Sequence, residues 1–363
     1  MKTWQALRAP VIGVLFALVA ACALLACLGE NPKVLFEALG NTFLTQFGLG
    51  YTLFYATPLI FTGLAVAIPF HCGLFNIGAE GQLSLGAISV VMIGTLFPRA
   101  PAIIAVPLAI IVCATAGGVW GGLAGYLKAK RGSHEVIVTI LLNFLATILV
   151  DYLILYPYHD PALQAPETLT IPPAFELAKF EDLAARFGIS LFKTTPVNIS
   201  LFIAVGMAVA SYVFLFYTTR GFELRAVGKS SIAARFAGIS VPANLTLSMF
   251  LGGALAGLVG INEVMGYHHS LIEGFSPGYG FTGIAVALLA RNNPLGILLT
   301  ALLFGSLQNS ARELEFLSER VSKELSLVLQ GALIAIAACD FYIGKWIHKI
   351  GFRKKRREID TNA

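Results

Sequence analysis

Residues 101–127 read PAIIAVPLAIIVCATAGGVWGGLAGYL, and Lys128, Ala129, Lys130 and Arg131 follow at once. A stretch of that length without a charged side chain can cross about 30 Å of hydrocarbon as a helix. The basic cluster at its end is the usual anchor at a cytoplasmic membrane face. Comparable stretches lie at 11–28, 48–70, 75–97, 134–156, 197–217, 241–262, 280–290, 295–310 and 324–344. Of the 363 residues, 57% are hydrophobic and 12% charged, against roughly a quarter charged in an ordinary soluble chain. With a mean hydropathy of +0.78, too little polar surface exists to wrap such a core in water, which excludes a soluble enzyme. The expected fold is therefore an all-α polytopic membrane protein of about ten transmembrane helices.

Two of the stretches, 280–290 and 295–310, are short and read as broken or tilted helices enclosed by protein. Orientation follows from charge. With residue 1 inside, the inner segments carry 17 of the 25 Lys and Arg residues, including Arg220, Arg225, Lys229, Arg235 and the cluster from Arg353 to Arg357. That asymmetry predicts both termini inside. The stretch 11–28 reads as a retained first helix rather than a cleaved signal, because Leu25 is bulky where cleavage favours small residues. The chain thus divides into a single membrane domain, 1–345, and a basic inner tail, 346–363. The tail suits topology and anionic lipid better than nucleic acid, since no nucleic-acid module accompanies it. An outer insertion, 157–196, carries an amphipathic helix around 175–187. The five cysteines form no metal or disulfide pattern.

Chemistry concentrates in three stretches. The first, 75–87, reads FNIGAEGQLSLGA and sets Asn76, Glu80 and Gln82 among glycines at the start of a span. Asn76 and Glu80 are four apart, so the spacing predicts one shared helical face. A carboxylate there costs roughly 2.5–3.5 kcal/mol on insertion unless partners or water meet it. It can therefore line a substrate path or gate, or simply clamp two helices. The second, 275–290, reads FSPGYGFTGIAVALLA and repeats that layout with Tyr279 and Phe281 at its start. The two stretches would cross in opposite directions, making 48–156 and 241–344 inverted halves around 197–217. Glu135, Thr139 and Asn143 form a polar stripe on a further span. His268 and His269 read as solvated residues of an outer loop beside Glu263.

The third is the inner loop 218–240, where Gly221, Phe222, Arg225 and Gly228 belong to one short helix. Ala233, Ala234 and Arg235 belong to a second, which Gly238 ends. Val227-Gly228-Lys229-Ser230 mimics the end of a phosphate loop. Six residues separate Gly221 from Gly228 where that motif requires four, so ATP binding by this chain is excluded. The loop reads either as a contact for a cytoplasmic partner or as an interfacial segment held by headgroups. No catalytic residue and no metal site is expected.

These three stretches in this order resemble the permease subunits of bacterial ABC importers for branched-chain amino acids and simple sugars, and within them the nucleoside-importing branch. The resemblance covers roughly 45–345. It implies the ten-helix importer fold and residence in the bacterial inner membrane. It also implies three protein partners: a second related permease, a cytoplasmic ATP-binding subunit and a periplasmic or lipid-anchored solute-binding protein. ATP-Mg would sit on the ATP-binding partner, this chain would bind no cofactor, and 218–240 would be the element that seats on the ATPase. The solute implied is a nucleoside, with a simple sugar or branched-chain amino acid as alternatives. An ATP-independent secondary transporter using Glu80 or Glu135 is the competing class.

Overall fold

The computed structural model describes residues 29–318, together with Val19, Cys22, Ala23, Leu25, Ala26 and Gly331. Most of the expected spans 324–344 and 11–28, and the basic tail, lie outside the described residues. In chain order the α-helices are α1 (Lys33–Leu44), α2 (Gln46–His71), α3 (Ala79–Leu96), α4 (Ala102–Arg131), α5 (Glu135–Leu155) and α6 (Phe180–Arg186). Then follow α7 (Ser200–Tyr217), α8 (Thr219–Lys229), α9 (Ser231–Phe236), α10 (Val241–Gly257), α11 (Tyr279–Leu289) and α12 (Pro294–Leu317). A wider π-helical segment, Ile261–His268, extends α10. Among the described residues only isolated bridges occur outside the helices.

Among the described residues seven helices are long and apolar enough to cross a membrane: α2, α3, α4, α5, α7, α10 with its extension, and α12. The short stretch at 280–290 is indeed short. With 11 residues, α11 rises only about 16 Å and cannot span alone. The stretch at 295–310 departs from expectation. Its helix continues to Leu317 over 24 residues, because polar residues such as Gln308 and Arg312 end the apolar run without ending the backbone hydrogen bonding.

The described residues form two compact units, divided after Thr45 and after Ser306. In the first, Leu25, Leu35, Ala38 and Leu314 pack together, and Ser310 hydrogen-bonds Thr42 at 3.1 Å. The second unit, Gln46–Ser306, holds all the chemistry discussed below. Its centre is α2, buried almost continuously from Phe54 to Pro69. Helix α5 packs on α3 and α4 and α7 packs on α2, and they turn Leu141, Phe144, Ile148 and Phe202 outward, as lipid-facing side chains should be.

No hydrophobic drive joins helices in lipid, so close packing must supply the attraction. The seam between α4 and α10 does so. A Cβ on Gly121 would lie 2.5 Å from the Met249 carbonyl, and one on Gly125 2.9 Å from Leu245 O. Only glycine admits that approach.

Candidate functional site: two helix starts and an inner loop

Pro69, inside α2, has no N–H to give to the carbonyl of Ala65. The Asn76 side chain supplies the donor: its Nδ2 reaches Ala65 O at 3.1 Å. The same amide pairs head-to-tail with Gln82, donating to Oε1 at 2.9 Å and accepting from Nε2 at 3.0 Å. Asn76 Oδ1 also accepts from Gly78 N–H at 3.1 Å, which turns the chain into α3. Asn143, from α5, closes the ring by accepting from Gly81 N–H and donating to Ile77 O, each at 2.9 Å. Asn76, Gln82 and Asn143 are therefore one buried clamp that welds 72–78 to three helices.

One expectation fails here. Asn76 lies in the non-helical turn before α3 and shares no helical face with Glu80. Its side chain bonds locally to the backbone, which stops the helix from beginning earlier.

Glu80 points away from that clamp. Its Oε2 accepts the Gly280 N–H at 2.7 Å, with Ser276 and the Phe281 backbone as further hydrogen-bond partners. The carboxylate thus caps the first turn of α11, where unpaired N–H groups and the helix dipole favour a negative charge. A Cβ on Gly280 would strike the Glu80 backbone nitrogen and lie 2.7 Å from its carboxylate. The N-termini of α3 and α11 therefore meet. Tyr279 is buried, whereas the Phe281 ring is 53% exposed and contributes its backbone rather than its side chain.

A second buried network holds the other side of the α11 start. Glu263, 2% exposed, accepts from Asn262 Nδ2 at 3.0 Å and hydrogen-bonds Tyr279. Asn262 Oδ1 in turn accepts from Ser200 Oγ at 2.9 Å and Asn198 Nδ2 at 3.3 Å. The reading of an outer loop here is corrected. Glu263 and His268 belong to the π-helical extension, with His268 Nε2 3.9 Å from the Glu263 carboxylate. The apolar run ends near 262, but the helix does not. An intramembrane carboxylate shortly before a Gly-rich helix start was the signal available in the sequence. Glu135 is also spoken for, by Lys128 at 2.8 Å.

The insertion 157–196 lies over the chain that leads into α11. Ile171 N–H donates to His269 O at 2.7 Å, Thr168 N–H to Leu271 O at 3.0 Å, and Leu177 N–H to Met265 O at 2.9 Å. Ser270 also bonds Glu167. The expected helix around 175–187 is shorter than its pattern and becomes α6, seven residues long.

The loop 218–240 forms the two short helices expected. Thr218 caps α8 by accepting from Gly221 N–H at 3.0 Å, and Ser230 caps α9 by accepting from Ala233 N–H at 3.2 Å. Gly238 ends the pair at φ +79°. Gly228 packs backbone-to-backbone on His71 and Cys72, at the end of α2, and Gly221 packs on Leu215. Arg225 covers the Phe216 ring at 5.1 Å. Phe222, Ile232 and Phe236 are 60%, 71% and 90% exposed. Ala233 and Arg235 lie beside them on the surface, while Ala234 is buried. This loop touches the chain through 71–73, just upstream of the Asn76 clamp.

Residues 48–338 match the family described as branched-chain amino acid transport system, permease component. Among curated proteins, the chain is 35% identical to the guanosine ABC transporter permease protein NupP of Bacillus subtilis, over 95% of this chain and 98% of that one. It is 34% identical to the glucose ABC transporter permease protein TsgB13 of Haloferax volcanii, over 100% and 95%. The nucleoside ABC transporter permease protein NupB of Lactococcus lactis is 34% identical over 92% and 91%. No solved structure matches the chain.

Proposed function

The chain belongs to the branched-chain amino acid transport system permease family, a multi-pass membrane protein, and from that premise we propose that it is the membrane subunit of an ATP-driven nucleoside importer. The observation that carries the solute class is the near full-length similarity to two permeases named for guanosine and for nucleosides. A sugar is the second reading, favoured by equally broad similarity to a glucose permease. An ion-gradient relay is disfavoured by the family and by geometry, since Glu80 is committed to backbone N–H groups and Glu135 to a lysine.

In this reading the second related permease completes the path, a solute-binding protein delivers from outside, and ATP-Mg is held by a cytoplasmic ATPase. The exposed Phe222, Ile232 and Phe236, with Arg235, form the seat for that ATPase. Glu80 and Tyr279 act as a gate at the α3–α11 junction, and Asn76, Gln82 and Asn143 hold the fixed side of it. Ten crossings with both ends inside complete the proposal. Single cysteines introduced at Ser190 and Ser231 on a cysteine-free background test the sidedness: an impermeant thiol reagent should label only Ser190→Cys in spheroplasts. Labelling of Ser231→Cys would reverse it.

The solute is tested by reconstituting the chain with the partners encoded beside it. Labelled guanosine uptake should be competed by other nucleosides and not by excess glucose. Competition by glucose alone would replace the nucleoside reading with the sugar one.

A further inference from the structure

The seam between α4 and α10 is tight at its glycines and opens at its basic end. There Tyr126, Ala129 and Lys130 of α4 face Pro242, Ala243 and Thr246 of α10, with Leu247 and Phe250 deeper, around a groove of about 470 Å³. The opening has a local cause: Ala129 and Ala243 are too small to fill the space that the glycines close further along. The walls are apolar, and Lys130 is the charged side chain that lines it. It stands in the last turn of α4 with Lys128 and Arg131.

Charge is not balanced at this rim. Lys128 is taken by Glu135 at 2.8 Å, and Glu223, which approaches Asn244 of α10, is taken by Arg220 at 3.1 Å. Among the described residues, neither Lys130 nor Arg131 makes an ion pair. The groove opens at the membrane face that also carries α8 and α9, because α10 begins directly after them.

We propose that this groove binds one anionic phospholipid, its acyl chain between α4 and α10 and its phosphate on Lys130, with Arg131 beside it. Apolar walls accept the chain, and an unneutralised cation at headgroup depth selects the charge. A zwitterionic lipid fits the same walls but gains less from Lys130, so the site discriminates by headgroup.

The test reconstitutes the full chain in nanodiscs of equal phosphatidylglycerol and phosphatidylcholine, extracts it in mild detergent, and counts retained lipid by native mass spectrometry. The wild type should retain phosphatidylglycerol over phosphatidylcholine by about fivefold, the preference one basic side chain gives near a charged surface. Lys130→Gln should bring that ratio close to one while total retained lipid changes little. Ala243→Trp, at an exposed position, should fill the groove and lower retention of both lipids. Lys193→Gln, on the outer insertion, should change neither. A preference that survives Lys130→Gln, or retention untouched by Ala243→Trp, overturns the proposal. So does a photo-reactive side chain at Thr246 that crosslinks, in the assembled transporter, to a permease subunit and not to lipid.

Discussion

The starts of α3 and α11 have similar sequences and opposite engineering. The α3 start is closed by side-chain amides: Asn76 and Gln82 bond each other, Asn76 also holds Ala65 O and the Gly78 N–H, and Asn143 holds Ile77 O and the Gly81 N–H. The α11 start has no such ring among the described residues. Ser276 Oγ caps it locally by accepting the Gly278 and Tyr279 N–H groups, and the rest of its hold comes from outside, from Glu80 across the junction, from Glu263 on Tyr279, and from the insertion laced over 265–271. A closed ring of buried hydrogen bonds opens only at the cost of several unsatisfied groups. The carboxylate cap joins α3 to α11 through a single side chain, so the junction parts when that one side chain releases the Gly280 and Phe281 N–H groups. In the proposed function α3 is the fixed jaw and α11 the moving one.

The inner loop fits that division. Gly228 bears on His71 and Cys72, just before the fixed clamp, so in the proposed function displacement of α8 by the ATPase would pass to a part of the chain that does not yield locally and would show itself between Glu80 and Gly280.

The largest expected effect comes from breaking that contact. Glu80→Leu leaves the Gly280 and Phe281 N–H groups of α11 without their acceptor and should lower transport by about tenfold or more. Glu80→Gln keeps an acceptor oxygen and loses the charge at the helix N-terminus, worth roughly 0.3–1 kcal/mol. Its transport should fall by no more than about fivefold. Equal transport by the wild type and the leucine variant would reduce Glu80 to packing.

Next in size is the fixed jaw. Asn76→Leu strands Ala65 O, the Gly78 N–H and the Gln82 amide, on the order of 1–3 kcal/mol for each buried group. This variant should unfold at a clearly lower temperature in detergent, whereas Glu80→Gln should not. The reverse order would exchange the roles of α3 and α11.

The inner loop gives a smaller and more local effect. Ala233 is exposed and Ala234 buried, so the same change to tryptophan asks two questions. Ala233→Trp should spare the fold and weaken ATPase retention on the permease; Ala234→Trp should destabilise the loop itself. Normal retention in Ala233→Trp would place the ATPase elsewhere. The mildest change, Lys229→Gln, should cost little at low salt and nothing at high salt, because an exposed charge is screened there.

Much of this architecture is legible in the sequence. Apolar length locates α2, α3, α4, α5 and α7 to within a few residues, and the Gly-rich turn before 280 announces a short α11. The misses share one physical cause. Hydropathy reports where a chain meets lipid, whereas helices continue or stop according to backbone hydrogen bonding. Asn76 stops a helix by bonding to Gly78 N–H within an apolar run. Gln308 and Arg312 sit in a helix that carries on past the apolar face. Glu263 reads as a loop neighbour because Asn262 and Glu263 themselves interrupt the apolar run, yet the π-helical segment carries it inside. At the site, the residue types are legible and their grouping is not: Asn76 and Glu80 work on different partners.

The central claim is tested most directly by transport after every ion gradient has been collapsed. The assembled transporter, in proteoliposomes with ionophores present and ATP supplied on the ATPase side, should still accumulate labelled guanosine. Glu80→Leu should lose most of that uptake while its ATPase stays bound and hydrolyses ATP. Uptake that disappears with the gradients while ATP is abundant, or that continues without ATP, would contradict the account.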